Sequence, residues 1–222
     1  MRGELRVVAD VPDAFSSCVV EAFRNRAEEA FSLALCGGAT ARRCYERLAA
    51  DGGGGIDWWE VDVYWGDERC VPCDHPDSNQ RMGREALLER VGAANAVHPM
   101  RCEEGPDPYQ MKIGELGHLD LVHLGLGPDG HTASLFPGSP ALDADPGRLV
   151  VRNQDPAGRF AHERMTLTFS GLARAHLILF TVSGRSRAQA LRQVMEGADL
   201  PAARVVAERI IWLVDREALG EG

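Results

Sequence analysis

Short apolar runs alternate along the chain with longer segments in which apolar residues recur at helical spacing. The short runs are rich in Val, Leu and Ile and several end in glycine, which is typical of buried strands. The longer segments have the periodicity of amphipathic helices. The predicted strands cover residues 5–9, 32–35, 61–65, 119–124, 164–169, 176–182 and 210–214, and the predicted helices cover residues 13–30, 40–50, 77–91 and 186–195.

This succession of strand and helix predicts a mostly parallel sheet with helices on both faces. No internal repeat and no Pro- or Ser-rich linker interrupts it, so we expect a single domain over residues 1–222. Asp13 is expected to cap the first helix, Asp77 or Ser78 the third, and residues 52–55 to form a flexible loop. Because ligands of such sheets bind beyond the carboxyl ends of the strands, the residues that follow each strand are the candidates for chemistry.

Charge and composition narrow the possible functions. The net charge of −9 argues against nucleic-acid binding, which needs a broad positive surface. Lys112 is the only lysine among 24 basic residues, so chemistry that depends on lysine is largely excluded, whereas arginine suits bidentate binding of phosphate. No apolar stretch is long enough to cross a membrane, and the first residues do not resemble a signal peptide. We therefore expect a soluble cytoplasmic protein.

The six cysteines are scattered through the chain, and without an export signal they are expected to be reduced. Cys70 and Cys73 have CxxC spacing, and His75 follows closely. Pro72 and Pro76 interrupt this segment, whereas a thioredoxin-like motif places its first Cys at a helix N-terminus. A zinc site would need a second pair of ligands at similar spacing, and the sequence has none. Redox and metal chemistry are therefore disfavoured here.

Two segments that adjoin predicted strands are suited to binding an anion. Gly37 and Gly38 permit a sharp turn with consecutive free N–H groups, and a helix beginning at Thr40 adds the positive end of its dipole. The same glycines would also fit an ordinary tight turn. Arg187, before another predicted helix, and Arg164, at the start of a strand, are sources of the local positive charge that an acidic protein needs to hold a phosphate.

Two further segments carry titratable groups at strand ends. Asp67 and Arg69 follow the predicted strand at 61–65, where they could serve a site or form a solvated cluster of ion pairs. In the segment 125–134, glycines on each side of Asp129 and His131 allow both side chains to point outward. A histidine oriented by a carboxylate is a natural general base, although a structural histidine is the alternative. The other histidines lack such a setting and are expected to be structural: His75, His98, His118, His123, His162 and His176.

The glycine-rich segment 125–134 resembles a dinucleotide-binding fingerprint only in part. Pro128 removes an N–H that a pyrophosphate would need. No acidic residue ends a following strand at the required distance. Binding of NAD is therefore rejected.

Taken together, these segments resemble the glucosamine-6-phosphate isomerase/6-phosphogluconolactonase family, and within it the lactonases. The strongest match is the segment LGLGPDGHTASLFPG at 124–138, followed by the segments at 67–72 and 74–79. Weaker matches occur in the expected order at 36–40, 183–187, 201–202 and 212–215. The resemblance covers residues 33 to 218. It implies a three-layer αβα sandwich with the Rossmann-like, mostly parallel sheet of the sugar-phosphate isomerases.

The resemblance also implies an activity. It is the hydrolysis of 6-phospho-D-glucono-1,5-lactone to 6-phospho-D-gluconate in the oxidative branch of the pentose phosphate pathway, with no metal or cofactor. His131 would be the general base, and Asp67 and Asp129 would lie near the sugar ring. The only partner expected is the phosphosugar lactone, with no nucleic acid or membrane, and the protein is expected to be a monomer. The residues expected to bind the substrate are Gly37, Gly38, Thr40, Arg69, Asn79, Arg164 and Arg187.

Three departures from the family pattern leave two alternatives open. Ala39 stands where the family usually has Ser, Arg187 stands where it has Lys, and the segment 100–117 is short, so a covering helix is expected to be trimmed or absent. One alternative is a glucosamine-6-phosphate deaminase, but in those similar enzymes a Glu stands where this chain has Phe136. The other is a sugar-phosphate sensor that binds without turnover.

Overall fold

The protein is described from a computed structural model, which covers residues 1–50 and 54–221. Part of the loop predicted at 52–55 therefore lies outside the described residues. The ten strands in the described part of the chain are β1 (Glu4–Val7), β2 (Phe31–Leu35), β3 (Val61–Trp65), β4 (Asp67–Arg69), β5 (Ala96–Val97), β6 (Leu119–Gly125), β7 (Val150–Asn153), β8 (Arg164–Leu167), β9 (Ala175–Val182) and β10 (Arg209–Val214).

Seven parallel strands form the central sheet in the order β1-β10-β9-β6-β2-β3-β5. Helices flank this sheet, which confirms the predicted α/β fold. The helices are α1 (Val11–Arg24), α2 (Ala39–Ala50), α3 (Asn79–Gly83), α4 (Glu89–Val91), α5 (Pro106–Leu116), α6 (Phe169–Leu172), α7 (Ala188–Met195), α8 (Pro201–Arg204) and α9 (Arg216–Leu219). Short 3-10 turns occur at Trp58–Glu60, Cys102–Glu104, Pro140–Asp143 and Arg185–Arg187, and a π-helical turn, Arg84–Leu88, joins α3 to α4.

The start of the first helix differs from the prediction, because its capping residue precedes the segment with helical spacing of apolar residues. Helix α1 begins at Val11, because the side chain of Asp10, and not that of Asp13, accepts the hydrogen bond from a first-turn N–H at 2.7 Å. Ser78 caps α3, as predicted. Helix α5 is present although its segment is short, and the Tyr109 hydroxyl joins it to the backbone of β3 by two hydrogen bonds.

Strands β4, β8 and β7 form a second, antiparallel sheet that the sequence did not predict as a unit. Its pairings join distant parts of the chain, so no local periodicity indicates it. This sheet also changes the setting of the four candidate segments at strand ends. The segments around Gly37 and Arg187 lead from β2 and β9 into helices, whereas β3 continues into β4 and β6 ends in the loop at 126–139.

The core of the central sheet contains one buried histidine. His123 donates or accepts through Nδ1 to the Tyr45 hydroxyl at 2.9 Å and through Nε2 to Thr181 Oγ1 at 2.8 Å. Burial lowers the pKa of its imidazole to about 3. Both ring nitrogens have partners, in agreement with the structural role predicted for this residue.

The prediction that all six cysteines are reduced is wrong for two of them. Cys70, directly after β4, forms a disulfide with Cys102, in the turn before α5. Their Cα atoms are 5.3 Å apart, within the usual range for a disulfide, because the second sheet brings these segments together. The remaining thiols are Cys18, Cys36 and Cys44, which are buried, and Cys73, which is exposed. Among the described residues, no helix is both long and apolar enough to cross a membrane.

Candidate active site

A cleft of about 240 Å³ opens at the carboxyl ends of β2, β6 and β9, against the second sheet. This is the position that the parallel topology predicts for a ligand. Eight of the ten predicted site residues line it: Gly37, Gly38, Thr40, Asp67, Arg69, His131, Arg164 and Arg187. The other two, Asn79 and Asp129, lie behind the lining and contact residues in it.

His131 and Asp129 form a hydrogen-bonded pair at the end of β6. The distance from His131 Nδ1 to Asp129 Oδ1 is 2.5 Å, and the same oxygen accepts from the His131 backbone N–H. A Cβ on Gly127 would lie 2.1 Å from His131 Nδ1, so this position must be glycine for the ring to pack here. The pairing leaves Nε2 as the ring nitrogen available to a molecule in the cleft.

Arg159 is a third member of this group that sequence reasoning missed. Its Nη1 forms an ion pair with Asp129 Oδ2 at 2.8 Å, and its Nε and Nη2 donate to the buried Asp155 carboxylate. These bonds hold the pKa of the Asp155 carboxyl well below its usual range. Burial acts to raise the pKa of Asp129, but its bond to His131, aided by the Arg159 charge, lowers it below its usual range. The carboxylate beside His131 is thus kept ionised.

Two aromatic rings support the imidazole. The ring of His131 lies 5.1 Å from that of Phe136 and 5.1 Å from that of Phe160, which stack on each other. The Arg164 guanidinium lies 5.9 Å from the Phe160 ring. Phe160 therefore lies between the His131 imidazole and the cationic part of the cleft. It lies in the loop 154–163, where no periodic pattern marks it.

Asp67 is a buried carboxylate held by neutral donors. Ser134 Oγ donates to its Oδ2 at 2.6 Å, and Asn79 Nδ2 donates to its Oδ1 at 3.3 Å and to its backbone oxygen at 2.9 Å. Gly37 lies against Asn79 so closely that a Cβ there would be 1.9 Å from Asn79 Oδ1. Gly37 and the Asp67 carboxylate are therefore linked through the Asn79 side-chain amide.

Arg69 and Arg164 are direct cross-strand neighbours in the β4–β8 pair. Like charges in this relation destabilise a sheet. Arg164 is only 6% exposed, and burial lowers the pKa of its guanidinium. The buried Nε of each lacks a hydrogen-bond partner. No described carboxylate lies within 4.0 Å of either group. Asp67, Glu68 and Asp77 act on Arg164 only at longer range. Two adjacent cations at a cleft that lack a direct ion-pair partner are an arrangement suited to an anionic ligand.

The N-terminus of α2 supplies further anion-binding groups. Gly38 has a φ of +106°, and its Cα faces open space. The first residues of this twelve-residue helix, Ala39, Thr40 and Ala41, line the cleft, and the N–H groups of a first helical turn have no partners within the helix. Ala39 lines the cleft without a hydroxyl, and Arg187, in the turn before α7, lines its other side. The departures from the family pattern at these two positions therefore fall in the cleft.

Comparisons with known proteins agree with this geometry. The family model described as glucosamine-6-phosphate isomerases/6-phosphogluconolactonase matches residues 4–212. A 6-phosphogluconolactonase from Synechocystis sp. is 38% identical over 84% of this chain and 82% of its own length. The crystal structure of the Thermotoga maritima 6-phosphogluconolactonase is similar with a TM-score of 0.80, 29% identity and coverage of 96% of this chain and all of that one. A monomeric glucosamine-6-phosphate deaminase, 19% identical with a TM-score of 0.81 over the whole of both chains, shares the fold.

Proposed function

The chain belongs to the glucosamine-6-phosphate isomerase/6-phosphogluconolactonase family, and from that premise we propose that it hydrolyses 6-phospho-D-glucono-1,5-lactone to 6-phospho-D-gluconate. The proposed catalyst is a water molecule activated by His131, without a metal ion. The observation that carries the proposal is a single cleft with an Asp–His pair at one wall and, at another, two adjacent guanidinium groups that lack a direct ion-pair partner.

We propose that the phosphate binds at the N-terminus of α2. Its ligands would be the N–H groups after Gly38, the Thr40 hydroxyl and the guanidinium groups of Arg164 and Arg187. Arg164 is buried, and its Nε has no hydrogen-bond partner, so a bound dianion would supply a negative group in direct contact with this guanidinium. Asp67 can accept hydrogen bonds from sugar hydroxyls, because a carboxylate has more acceptor positions than its two protein donors occupy.

At the other end of the cleft, His131 would remove a proton from the attacking water while a C–O bond forms at the lactone C1 carbonyl. Asp129 keeps the Nδ1 proton in place, so Nε2 is the basic nitrogen. Arg69 or backbone N–H groups would stabilise the oxyanion. Collapse of the tetrahedral intermediate breaks the bond between C1 and the ring oxygen, and this oxygen takes the proton from the His131 imidazolium. No covalent nucleophile is required for so reactive an ester.

The deaminase alternative is disfavoured by Phe136. That chemistry needs a further carboxylate where this buried phenyl ring packs against His131, and a phenyl ring cannot transfer protons. Release of ammonia from glucosamine 6-phosphate would reverse this conclusion.

The test is a continuous assay in which the lactone is generated in situ and 6-phosphogluconate formation is followed, with spontaneous hydrolysis subtracted. His131→Ala should lower kcat by about 10²–10⁴-fold. His176→Ala is the matched control, because this exposed histidine also pairs through Nδ1 with a carboxylate, Glu208, at 2.7 Å. Treatment with EDTA should leave the rate unchanged. Tight binding of 6-phosphogluconate by the wild type with no rate above the background would instead identify a sensor.

A further inference from the structure

We infer that His75, Asp77 and His162 form a binding site for a divalent transition-metal ion such as Zn²⁺, outside the lining of the cleft and separate from the proposed catalytic groups. One ligand atom from each residue lies within 4.8 Å of the other two. This is the only group of three or more His, Cys, Asp or Glu side chains with such spacing in the described part of the chain. Its two halves come from the loop after β4 and from the loop before β8.

The spacing is close to what a metal requires. In a tetrahedral zinc site with bonds of about 2.0–2.1 Å, neighbouring ligand atoms are about 3.3–3.4 Å apart. Here, His162 Nε2 lies 2.9 Å from Asp77 Oδ2, and His75 Nδ1 lies 3.9 Å from the same oxygen. Small side-chain movements would therefore bring all three atoms to bonding distance. Two imidazoles and one carboxylate, with an open fourth position, are a ligand set that Zn²⁺ and Co²⁺ accept.

The backbone beneath the site is fixed on both sides. The carboxylate of Glu68 accepts from the backbone N–H groups of Asn79 and Gln80, just beyond the loop that carries Asp77. The disulfide at Cys70 holds the start of that loop. On the other side, the Glu163 carbonyl accepts from the Cys70 N–H at 2.8 Å, next to His162. A site whose backbone is already ordered loses little conformational entropy on binding a metal.

The local charges are compatible with a cation. Asp77 Oδ2 and His162 Nε2 are hydrogen-bonded to each other, so a carboxylate oxygen and a ring nitrogen already face one another. The carbonyl of Asp77, and not its carboxylate, accepts from Arg69 Nη1 at 2.6 Å. The carboxylate therefore has no arginine bonded to it that a metal would have to displace. The His162–Asp77 hydrogen bond, and the 3.1 Å bond from the Asp77 N–H to His75 Nδ1, would be exchanged for coordination bonds.

A second histidine pair in the molecule provides the contrast. His118 and His176 have ring centroids 4.3 Å apart, but each faces a different carboxylate, Asp120 and Glu208 respectively. Ligand atoms of three residues do not converge there, so the pair is not expected to hold a metal. His176→Ala is therefore a matched control for the loss of one partly exposed histidine.

The experiment uses the full chain after EDTA treatment and dialysis, with Zn²⁺ titrated by calorimetry and Co²⁺ by visible absorption. We expect one equivalent to bind and Co²⁺ to give the intense visible bands of a tetrahedral complex. His162→Ala and His75→Ala should each weaken binding by at least about tenfold, and Asp77→Asn should also weaken it. His176→Ala and Cys73→Ser should bind as the wild type does. Far-UV circular dichroism and thermal melting check that each variant is folded, and His162→Gln replaces any variant that is not.

Several results would overturn the assignment. They are the absence of metal binding by the wild type, unchanged affinity in folded His162→Ala or His162→Gln, or loss of binding in Cys73→Ser, which would indicate a thiolate site. None of these readouts depends on turnover, so they are independent of the outcome of the lactonase assay.

Discussion

Replacement of Asp129 by Asn removes one charge at the centre of the proposed catalytic group with little change in shape. The carboxylate lies 2.5 Å from His131 Nδ1, and both side chains are at least four-fifths buried. When His131 accepts a proton from water, the new imidazolium gains the attraction of this carboxylate. For charge centres about 4 Å apart at an effective dielectric constant of about 20, the attraction is about 4 kcal/mol.

Loss of that attraction corresponds to about a 10³-fold lower kcat, since 1.36 kcal/mol is a factor of ten. The neighbouring Arg159 adds to the effect, because its charge is no longer neutralised by Asp129 and opposes formation of the imidazolium. KM should change little, because the proposed phosphate ligands lie at the other end of the cleft.

The assay is the coupled measurement of 6-phosphogluconate formation, with kcat and KM determined separately and the spontaneous rate subtracted. Asp143→Asn is the control, since this carboxylate is 88% exposed and lies outside the cleft. A wild-type kcat in Asp129→Asn would refute the proposed role of the pair. A loss confined to KM would show that Asp129 acts in binding and not on the base.

Three other changes test separate parts of the structure. Arg159→Ala should lower kcat by about tenfold, less than loss of the base itself, because Asp129 loses a group that positions it, and Arg159→Lys should restore kcat. A change in thermal stability with unchanged kcat and KM would mean a purely structural role. Arg164→Met removes a buried cation opposite Arg69. The thermal midpoint of this variant should not fall below that of the wild type, while its binding of 6-phosphogluconate, measured by calorimetry, should weaken about 10–100-fold. A lower midpoint with unchanged binding would contradict the proposed anion site. For His123, the depressed pKa means that the unfolded state binds the proton first. The contribution of His123 to the free energy of unfolding should therefore fall as the pH is lowered from about 6.5 towards 3, by at most about 1.4 kcal/mol per pH unit. In denaturant titrations, the difference in unfolding free energy between the wild type and His123→Gln should shrink over this range. A difference that does not change with pH would contradict this.

The five inner strands of the central sheet were predictable because they are largely buried on both faces and therefore read as continuous apolar runs, whereas the short edge strand β5 was not predicted. Strand β3 has the predicted limits, and β6 and β9 differ from theirs by a single residue. The position of His131 in the cleft follows from the same rule, since it comes soon after a central strand. Local signals of this kind depend on residues that are close in sequence.

Features created by contacts between distant segments were not predictable in the same way. Arg159 is 30 residues from Asp129 in a loop with no periodicity, and nothing in that loop distinguishes it from a solvated arginine. The disulfide joins residues 32 apart, and His162 meets Asp77 across 85 residues. A search for a second pair of metal ligands near Cys70 in the sequence therefore had no means of finding His162.

The two sheets contribute different groups to the site, and the charged groups come from the sheet in which their arrangement is electrostatically unfavourable. The carboxyl ends of β2 and β6 contribute backbone N–H groups and a histidine, which a parallel sheet accommodates without electrostatic strain. Asp67, Arg69 and Arg164 come from the antiparallel sheet, where two guanidinium groups are direct neighbours and one is buried. Hydrophobic packing alone would not retain such a pair in this position. Its presence in a protein of net charge −9 is best explained by an anionic ligand, and the phosphate of the proposed substrate would supply the negative charge.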